Sequence, residues 1–312
     1  MAKYSFGVDV GGTTIKMGLF DTEGNVLDKW EIKTRTENGG VNVLPDVADA
    51  VKGKMQEKSI AQEDVVGVGI GVPGPVDAKG VVYKCVNLGW GVLNINDELS
   101  RLLDGMPVKG GNDANVAALG EMWKGGGQGF ESIVVVTLGT GVGGGIIMDG
   151  EILTGARGAA GEIGHIHVND EETEVCGCGN KGCLEQYTSA TGIVRLANRK
   201  LAGNTKPTCL KMGEVSAKDV WDAVKAGDEV ALEIAEEFGE YLGKGLASIA
   251  CVVNPEAFVI GGGVSKAGEV LLGYIRKNYT PYVFHASRDV QFTLATLGND
   301  AGIYGAAKLV LA

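Results

Sequence analysis

The sequence predicts an α/β protein built of two related halves, and two observations carry that expectation. β-rich runs separated by glycine turns form a meander at the N-terminus, and a second such meander begins near residue 132. At an offset of 128, Val8-Asp9-Val10-Gly11 falls on Val136-Thr137-Leu138-Gly139, and Asp21 falls on Asp149. In the first half the strands are expected over 4–10, 14–20 and 26–32, with turns at Gly11-Gly12 and Asp21-Thr22-Glu23-Gly24. An amphipathic helix follows over 43–58, then an apolar strand over 65–71 of the kind buried on both faces of a sheet. The second half repeats the pattern with strands at 133–138, 145–148 and 151–153. A long helix over 229–251 leads into a strand at 257–260 and Gly261-Gly262-Gly263, and a last helix is expected over 301–311. The glycine-rich stretch 122–130 reads as a hinge.

Composition narrows the function classes. The chain has 312 residues, 45% of them apolar, which is enough for two packed cores. A net charge of -11 argues against a general nucleic-acid binder, which needs a basic face. No run of 18 apolar residues exists, so no membrane-spanning helix is expected. The first strand starts about four residues in, leaving no room for a signal peptide, so the chain is read as cytoplasmic. In that compartment six cysteines point to thiols or metal ligands rather than disulfides.

The 51 glycines gather at turns where backbone must approach something closely. Asp9-Val10-Gly11-Gly12-Thr13-Thr14-Ile15-Lys16 is a strand, a tight turn and a second strand; it is either an ordinary hairpin or a phosphate cradle in which Asp9 faces hydrated Mg²⁺. Gly139-Thr140-Gly141-Val142-Gly143-Gly144 matches the letters of a dinucleotide fingerprint, but a strand follows it where that motif requires a helix. No P-loop is present either. Two hairpin loops, one from each half, remain as a clamp for a nucleotide phosphate. Gly262 sits in a strand-to-helix turn that suits either a plain connection or the approach of a nucleotide.

Asp113, in Asn112-Asp113-Ala114-Asn115, stands where a strand hands over to a helix. It is either the N-cap or a general base that orients a hydroxyl and takes its proton late, as a loose phosphoryl transfer allows. His165, Cys176, Cys178 and Cys183 give H-x10-C-x-C-x4-C, one imidazole and three thiolates, the closed tetrahedral set of a structural zinc ion. The alternative is a trio of small buried thiols or a redox pair. Glu162 and Glu185 flank the ligands, so a metal would hold both in place, and carboxylates held in this way accept hydrogen bonds from sugar hydroxyls; as solvated surface acids they would do nothing of the kind. Cys85, Cys209, Cys251 and His285 have no partners at ligand spacing.

These motifs, with Cys176-Gly177-Cys178-Gly179-Asn180-Lys181-Gly182-Cys183-Leu184-Glu185 the most specific, resemble the ROK family of sugar kinases and repressors over residues 4–307. The resemblance is greatest to its bacterial glucokinase branch. It implies an actin-like, hexokinase-type fold in which two duplicated domains flank a cleft, here 1–118 with the helix 300–312 returning to it, and 119–299. It implies that Asp113 is the catalytic base and that Gly74, Asn87, Asn112, Asp113, Glu162, His165 and Glu185 bind the sugar. Asp9, Gly11, Gly12, Thr13, Lys16, Gly139, Thr140, Gly141 and Gly262 would line the ATP site, with Mg²⁺ on the phosphates and a structural Zn²⁺ on the cysteine loop. The implied reaction converts ATP and D-glucose to ADP and D-glucose 6-phosphate, with N-acetylmannosamine, mannose, fructose and allose as alternative acceptors and a sugar-responsive regulator as the alternative role. A homodimer or homotetramer is the implied assembly.

Overall fold

A computed structural model describes residues 2–311; residues 1 and 312, at the outer ends of the expected domain bounds, lie outside the described residues. The chain opens with β1 (Tyr4–Val10), β2 (Thr14–Asp21), β3 (Val26–Lys33), α1 (Glu37–Gly40) and α2 (Val43–Lys58). It continues through β4 (Val65–Val72), β5 (Val81–Val82), β6 (Leu93–Asn94), α3 (Ile95–Leu102), β7 (Val108–Asn112) and α4 (Asp113–Lys124). Then come β8 (Ile133–Leu138), β9 (Val142–Met148), β10 (Glu151–Ile152), α5 (Glu185–Thr188), α6 (Ala190–Ala202), α7 (Ala217–Lys225) and α8 (Glu229–Val253). The last elements are β11 (Ala257–Gly261), α9 (Glu269–Tyr279), β12 (Gln291–Leu294) and α10 (Ala301–Leu311).

The expected duplication is visible in the strand order. One five-stranded sheet runs β3-β2-β1-β4-β7, and the other runs β10-β9-β8-β11-β12. In each, an antiparallel meander is extended by two parallel strands. Sequence explains which strand lies where. The run VVGVGIGV of β4 is buried almost throughout, as a central parallel strand covered on both faces must be. The run VLDKWEIK of β3 alternates half-buried and exposed residues, the signature of a strand with one wet face.

By compactness the chain divides into two units. Unit 1 comprises 2–131, 145–161 and 297–311, and unit 2 comprises 132–144 and 162–296. The sequence bounds differ from this at 297–299 and in placing 119–131 and 145–161 with the second domain. Both segments cluster with unit 1 because α4 runs on to Lys124, and because a Cβ at Gly145 would meet Ala118 Cβ at 2.4 Å and Ala114 O at 2.9 Å.

The C-terminal helix α10 belongs to unit 1. It lies on α4 at near-backbone contact: a Cβ at Gly305 would fall 1.7 Å from Val116 O, so only glycine permits the approach. Beneath the sheet a core of Phe6, Val8, Ile15, Met17, Val47, Val68, Ile70, Leu88 and Ile95 anchors unit 1. Among the described residues no helix is long and apolar enough to cross a membrane.

Candidate functional site

In unit 1 the candidate residues gather at the carboxyl ends of parallel strands, where α/β sheets bind ligands. Asp9 of β1 pairs in register with Gly71 of β4, and Gly71 pairs with Gly111 of β7. Asp9 and Asp113 therefore stand two strands apart, about 10 Å along the sheet. The N-cap of α4 is Asn112 rather than Asp113: Asn112 Oδ1 accepts the Asn115 N–H at 3.1 Å. Asp113 is the first helical residue. Its Oδ1 accepts from Ala114 N–H at 2.8 Å and from Asn112 Nδ2 at 3.0 Å, while the same Nδ2 donates to Gly74 O at 3.1 Å. Gly74, Asn112 and Asp113 thus form one hydrogen-bonded group.

Asp9 is partly buried, and burial, reinforced by the negative charge of Asp113 and opposed by Lys16, raises its pKa to about 6. Lys16 Nζ donates to Asn299 O at 3.0 Å. Gly11 N–H donates to Thr14 O, closing the tight turn that exposes Gly12 and Thr13. Asn87 is exposed on a single 3-10 turn, Val86–Leu88, whose base is fixed by paired backbone bonds between Cys85 and Trp90. The buried Cys85 thiol is raised, chiefly by burial and in small part by Asp113, which puts this loop within electrostatic reach of the acid.

In unit 2 a second group is continuous from the glycine loop to the cysteines. Glu185, the first residue of α5, accepts the Val142 N–H on Oε2 at 2.9 Å, and its Oε1 lies 3.7 Å from Cys176 Sγ. A Cβ at Gly141 would sit 2.2 Å from Glu185 Oε2, so a larger residue in the loop would push that carboxylate aside. Thr191 Oγ1 donates to Thr140 O, and Ala190 N–H donates to Gly139 O, pinning the loop to the start of α6. Gly262, at φ +82°, follows β11 directly and leads into a 3-10 turn, Gly263–Ala267. The helix expected beyond this turn, α9, starts at Glu269, so the 3-10 turn stands between Gly262 and the helix.

The cysteine loop fits a tetrahedral ion. The ligand atoms of His165, Cys176, Cys178 and Cys183 all lie within 4.8 Å of one another. Cys178 Sγ and Cys183 Sγ are 3.6 Å apart, and Cys176 Sγ is 3.9 Å from His165 Nδ1. Ligands at zinc–sulfur and zinc–nitrogen distances of about 2.3 and 2.1 Å are spaced in this way around a tetrahedron, whereas a disulfide needs about 2.05 Å. Burial, with its two neighbouring thiols, pushes Cys183 up to about 12, while the Asn180 backbone N–H draws Cys178 down. A bound cation would reverse the first effect outright. His165 turns Nδ1 to the cysteines and leaves Nε2 4.0 Å from Glu162 Oε2. Glu162 and His165 flank a 3-10 turn and remain partly open, with side chains 63% and 35% exposed. The remaining cysteines and His285 join no metal-binding group among the described residues.

One part of the site had no signal in sequence. Glu172, whose side chain is 1% exposed, accepts from Tyr187 OH at 2.5 Å, from the Thr173 and Glu174 N–H groups at 2.9 Å, and from Arg195 and Arg199. Burial alone would raise this acid, but these bonds outweigh it and hold the carboxyl well below the usual range. The network ties the cysteine loop to α6 whether or not a metal is bound. His167 adds a second tie: Nδ1 lies 2.9 Å from Lys181 O, and Nε2 lies 2.8 Å from Asp170 Oδ1.

Two five-stranded sheets of matching order, acids at the carboxyl ends of parallel strands and a His/Cys₃ cluster define an actin-like α/β protein of the hexokinase type. The chain belongs to the ROK family, which it matches over residues 5–312. It is 44% identical over 314 residues to a glucokinase of Halalkalibacterium halodurans, covering 99% of this chain and 95% of that one. A crystal structure of a ROK family glucokinase from Streptomyces griseus in complex with glucose and AMPPNP is 36% identical, with 98% of each chain covered and a TM-score of 0.70. A ROK hexokinase from Thermus thermophilus is 33% identical, with a TM-score of 0.79 over 99% of this chain and 97% of that one.

Proposed function

We propose that this protein is a cytoplasmic ATP-dependent hexose kinase that converts ATP and D-glucose to ADP and D-glucose 6-phosphate. The observation that carries the reading is the unbroken contact path in unit 2, from the Thr140-Gly141 loop through Glu185 to the His/Cys₃ cluster and Glu162. It joins a phosphate-type loop to hydroxyl-accepting carboxylates, which is what transfer of phosphate to a sugar requires. The relatives named glucokinase, one of them holding glucose and an ATP analogue, support the same reading.

Asp113 is assigned as the base. It orients the sugar's 6-hydroxyl; as O6 bonds to the γ-phosphorus and the bridge to the β-phosphate breaks, the hydroxyl proton passes to Asp113. Gly74, Asn87 and Asn112 of unit 1, and Glu162, His165 and Glu185 of unit 2, are assigned to the sugar hydroxyls. Gly11, Gly12, Thr13, Lys16, Gly139, Thr140, Gly141 and Gly262 are assigned to ATP. Asp9 would hold hydrated Mg²⁺, which neutralises phosphate charge when bound. His165, Cys176, Cys178 and Cys183 would hold Zn²⁺ as a closed structural site, fixing the His165 ring so that Nε2 addresses the sugar. A homodimer or homotetramer is the expected assembly.

A coupled ADP-release assay across hexoses and N-acetylhexosamines tests the proposal. Glucose should give the highest kcat/KM. Preference for N-acetylmannosamine, mannose, fructose or allose would correct the substrate alone, and no sugar-dependent ADP release would reject the kinase.

A further inference from the structure

Glu121, near the end of α4, is 2% exposed, yet its carboxylate is bound by main chain from two distant segments of unit 1. Oε2 accepts the Gly126 N–H at 2.9 Å, and Oε1 accepts the Leu297 N–H at 3.0 Å. The Glu121 carbonyl also accepts from the Gly125 and Gly127 N–H groups. The glycine stretch that reads as a hinge in sequence is therefore wrapped around one side chain. The fit is close enough that a Cβ at Gly125 would lie 2.0 Å from Oε2.

Leu297 is where the chain re-enters unit 1, four residues before α10 begins. Helix α10 then runs against α4, with a Cβ at Gly120 placed 2.2 Å from Ala301 O. Its first turn touches the other acid of the site: a Cβ at Gly302 would fall 2.5 Å from Asp9 Cγ. Asp113 stands at the opposite end of α4 from Glu121. Asp113 thus rides on α4, and Asp9 is packed against the start of α10.

We infer that Glu121 is a positioning residue for phosphoryl transfer, setting the spacing of Asp9 and Asp113 by tying the entry of α10 to the end of α4. The inference rests on the kinase reading above. A carboxylate suits the task because both its oxygens only accept. A glutamine would keep one acceptor and turn an NH₂ toward a backbone N–H, losing one bond and setting two donors face to face.

The test compares wild type with Glu121→Gln in steady-state kinetics, at a temperature where circular dichroism shows both folded. Gly125→Ala, which displaces the same carboxylate by another route, serves as the second variant should Glu121→Gln fail to fold. The expected signature in either is a kcat lowered about tenfold or more, the scale of a sub-ångström to 1 Å misplacement. The KM for MgATP should rise severalfold while the sugar KM stays within about twofold. A lower melting temperature with unchanged kcat and MgATP KM would overturn the positioning role and leave the kinase standing. A wild type that releases no ADP with any sugar would overturn both.

Discussion

In unit 1 the acids ride on regular structure: Asp9 lies near the end of a strand, Asp113 begins a helix, and Asn112 between strand and helix supplies the cap. In unit 2, with the same strand order, Glu162 and His165 flank a 3-10 turn and Glu185 opens a four-residue helix. Neither element could hold its side chains alone. The second unit makes up for this with the Glu172–arginine network and the Val142–Glu185 bond, and a metal ion bound by the His/Cys₃ cluster would add a further cross-link. A ladder of strands aims side chains through backbone bonds; an irregular loop has to be tied at several points before it can do so.

Each tie can be broken separately, and the largest effect is expected where chemistry depends on one group. Asp113→Asn should lower kcat by about 10²- to 10⁴-fold while calorimetry still detects sugar binding. Near-normal turnover would remove Asp113 from the role of base.

Next in size is the Glu172 network. Glu172→Ala takes the acceptor from the buried Tyr187 hydroxyl and leaves Arg195 and Arg199 with Glu174 as their remaining carboxylate, and should cost about 3 kcal/mol in urea unfolding. Because the folded state holds this carboxyl below its usual value of 4.5, its contribution is present above that pH and is lost as the pH falls further. The gap between Glu172→Gln and wild type should therefore narrow below about pH 4; a gap independent of pH would mean that the charge is not what holds the loop.

Asp9→Asn tests the opposite sign. Burial raises Asp9 to about 6, so its ionised form opposes folding: the contribution is favourable below 3.8 and is lost as pH rises through 6. In magnesium-free buffer at pH 8 the variant should be stabilised by about 2 kcal/mol, with the gain fading toward pH 4, and its kinase activity should fall. Loss of stability at pH 8 would contradict the cost of burying the Asp9 charge beside Asp113. The smallest effect expected is that of Cys178→Ser, which should release zinc and raise the sugar KM about tenfold, within the range of a lost metal-site support. Elemental analysis that finds no zinc in the wild type would end the brace account.

Sequence patterning located the strands of both meanders and the long helices because their hydrophobic period is local, but it placed none of α3, α6, α7 and β12. Where it did place an element, its errors were at ends. The helix expected after Asp113 includes Asp113 itself, since the cap falls on Asn112, and runs to Lys124 inside the stretch read as a hinge; β9 starts at Val142 rather than 145. The His/Cys₃ cluster was legible because four residues within 165–183 carry their own spacing. Glu172 was not, since Asp170, Glu171, Glu172 and Glu174 look alike in sequence; the fold sets both Glu172 and Glu174 against Arg195 and Arg199 and buries only Glu172.

By itself the sequence determined the duplicated α/β architecture, the ligand set of the cysteine loop and the strand-to-helix position of Asp113, all of which follow from neighbours along the chain. Tertiary structure alone decided that Glu121 grips Gly126 and Leu297, that Gly141 lies against Glu185, and that Asp9 packs against Gly302. Those pairs are separated by up to 293 residues (Asp9 to Gly302). Contacts of that reach depend on how sheets and helices stack, and no local period in the sequence encodes the stacking.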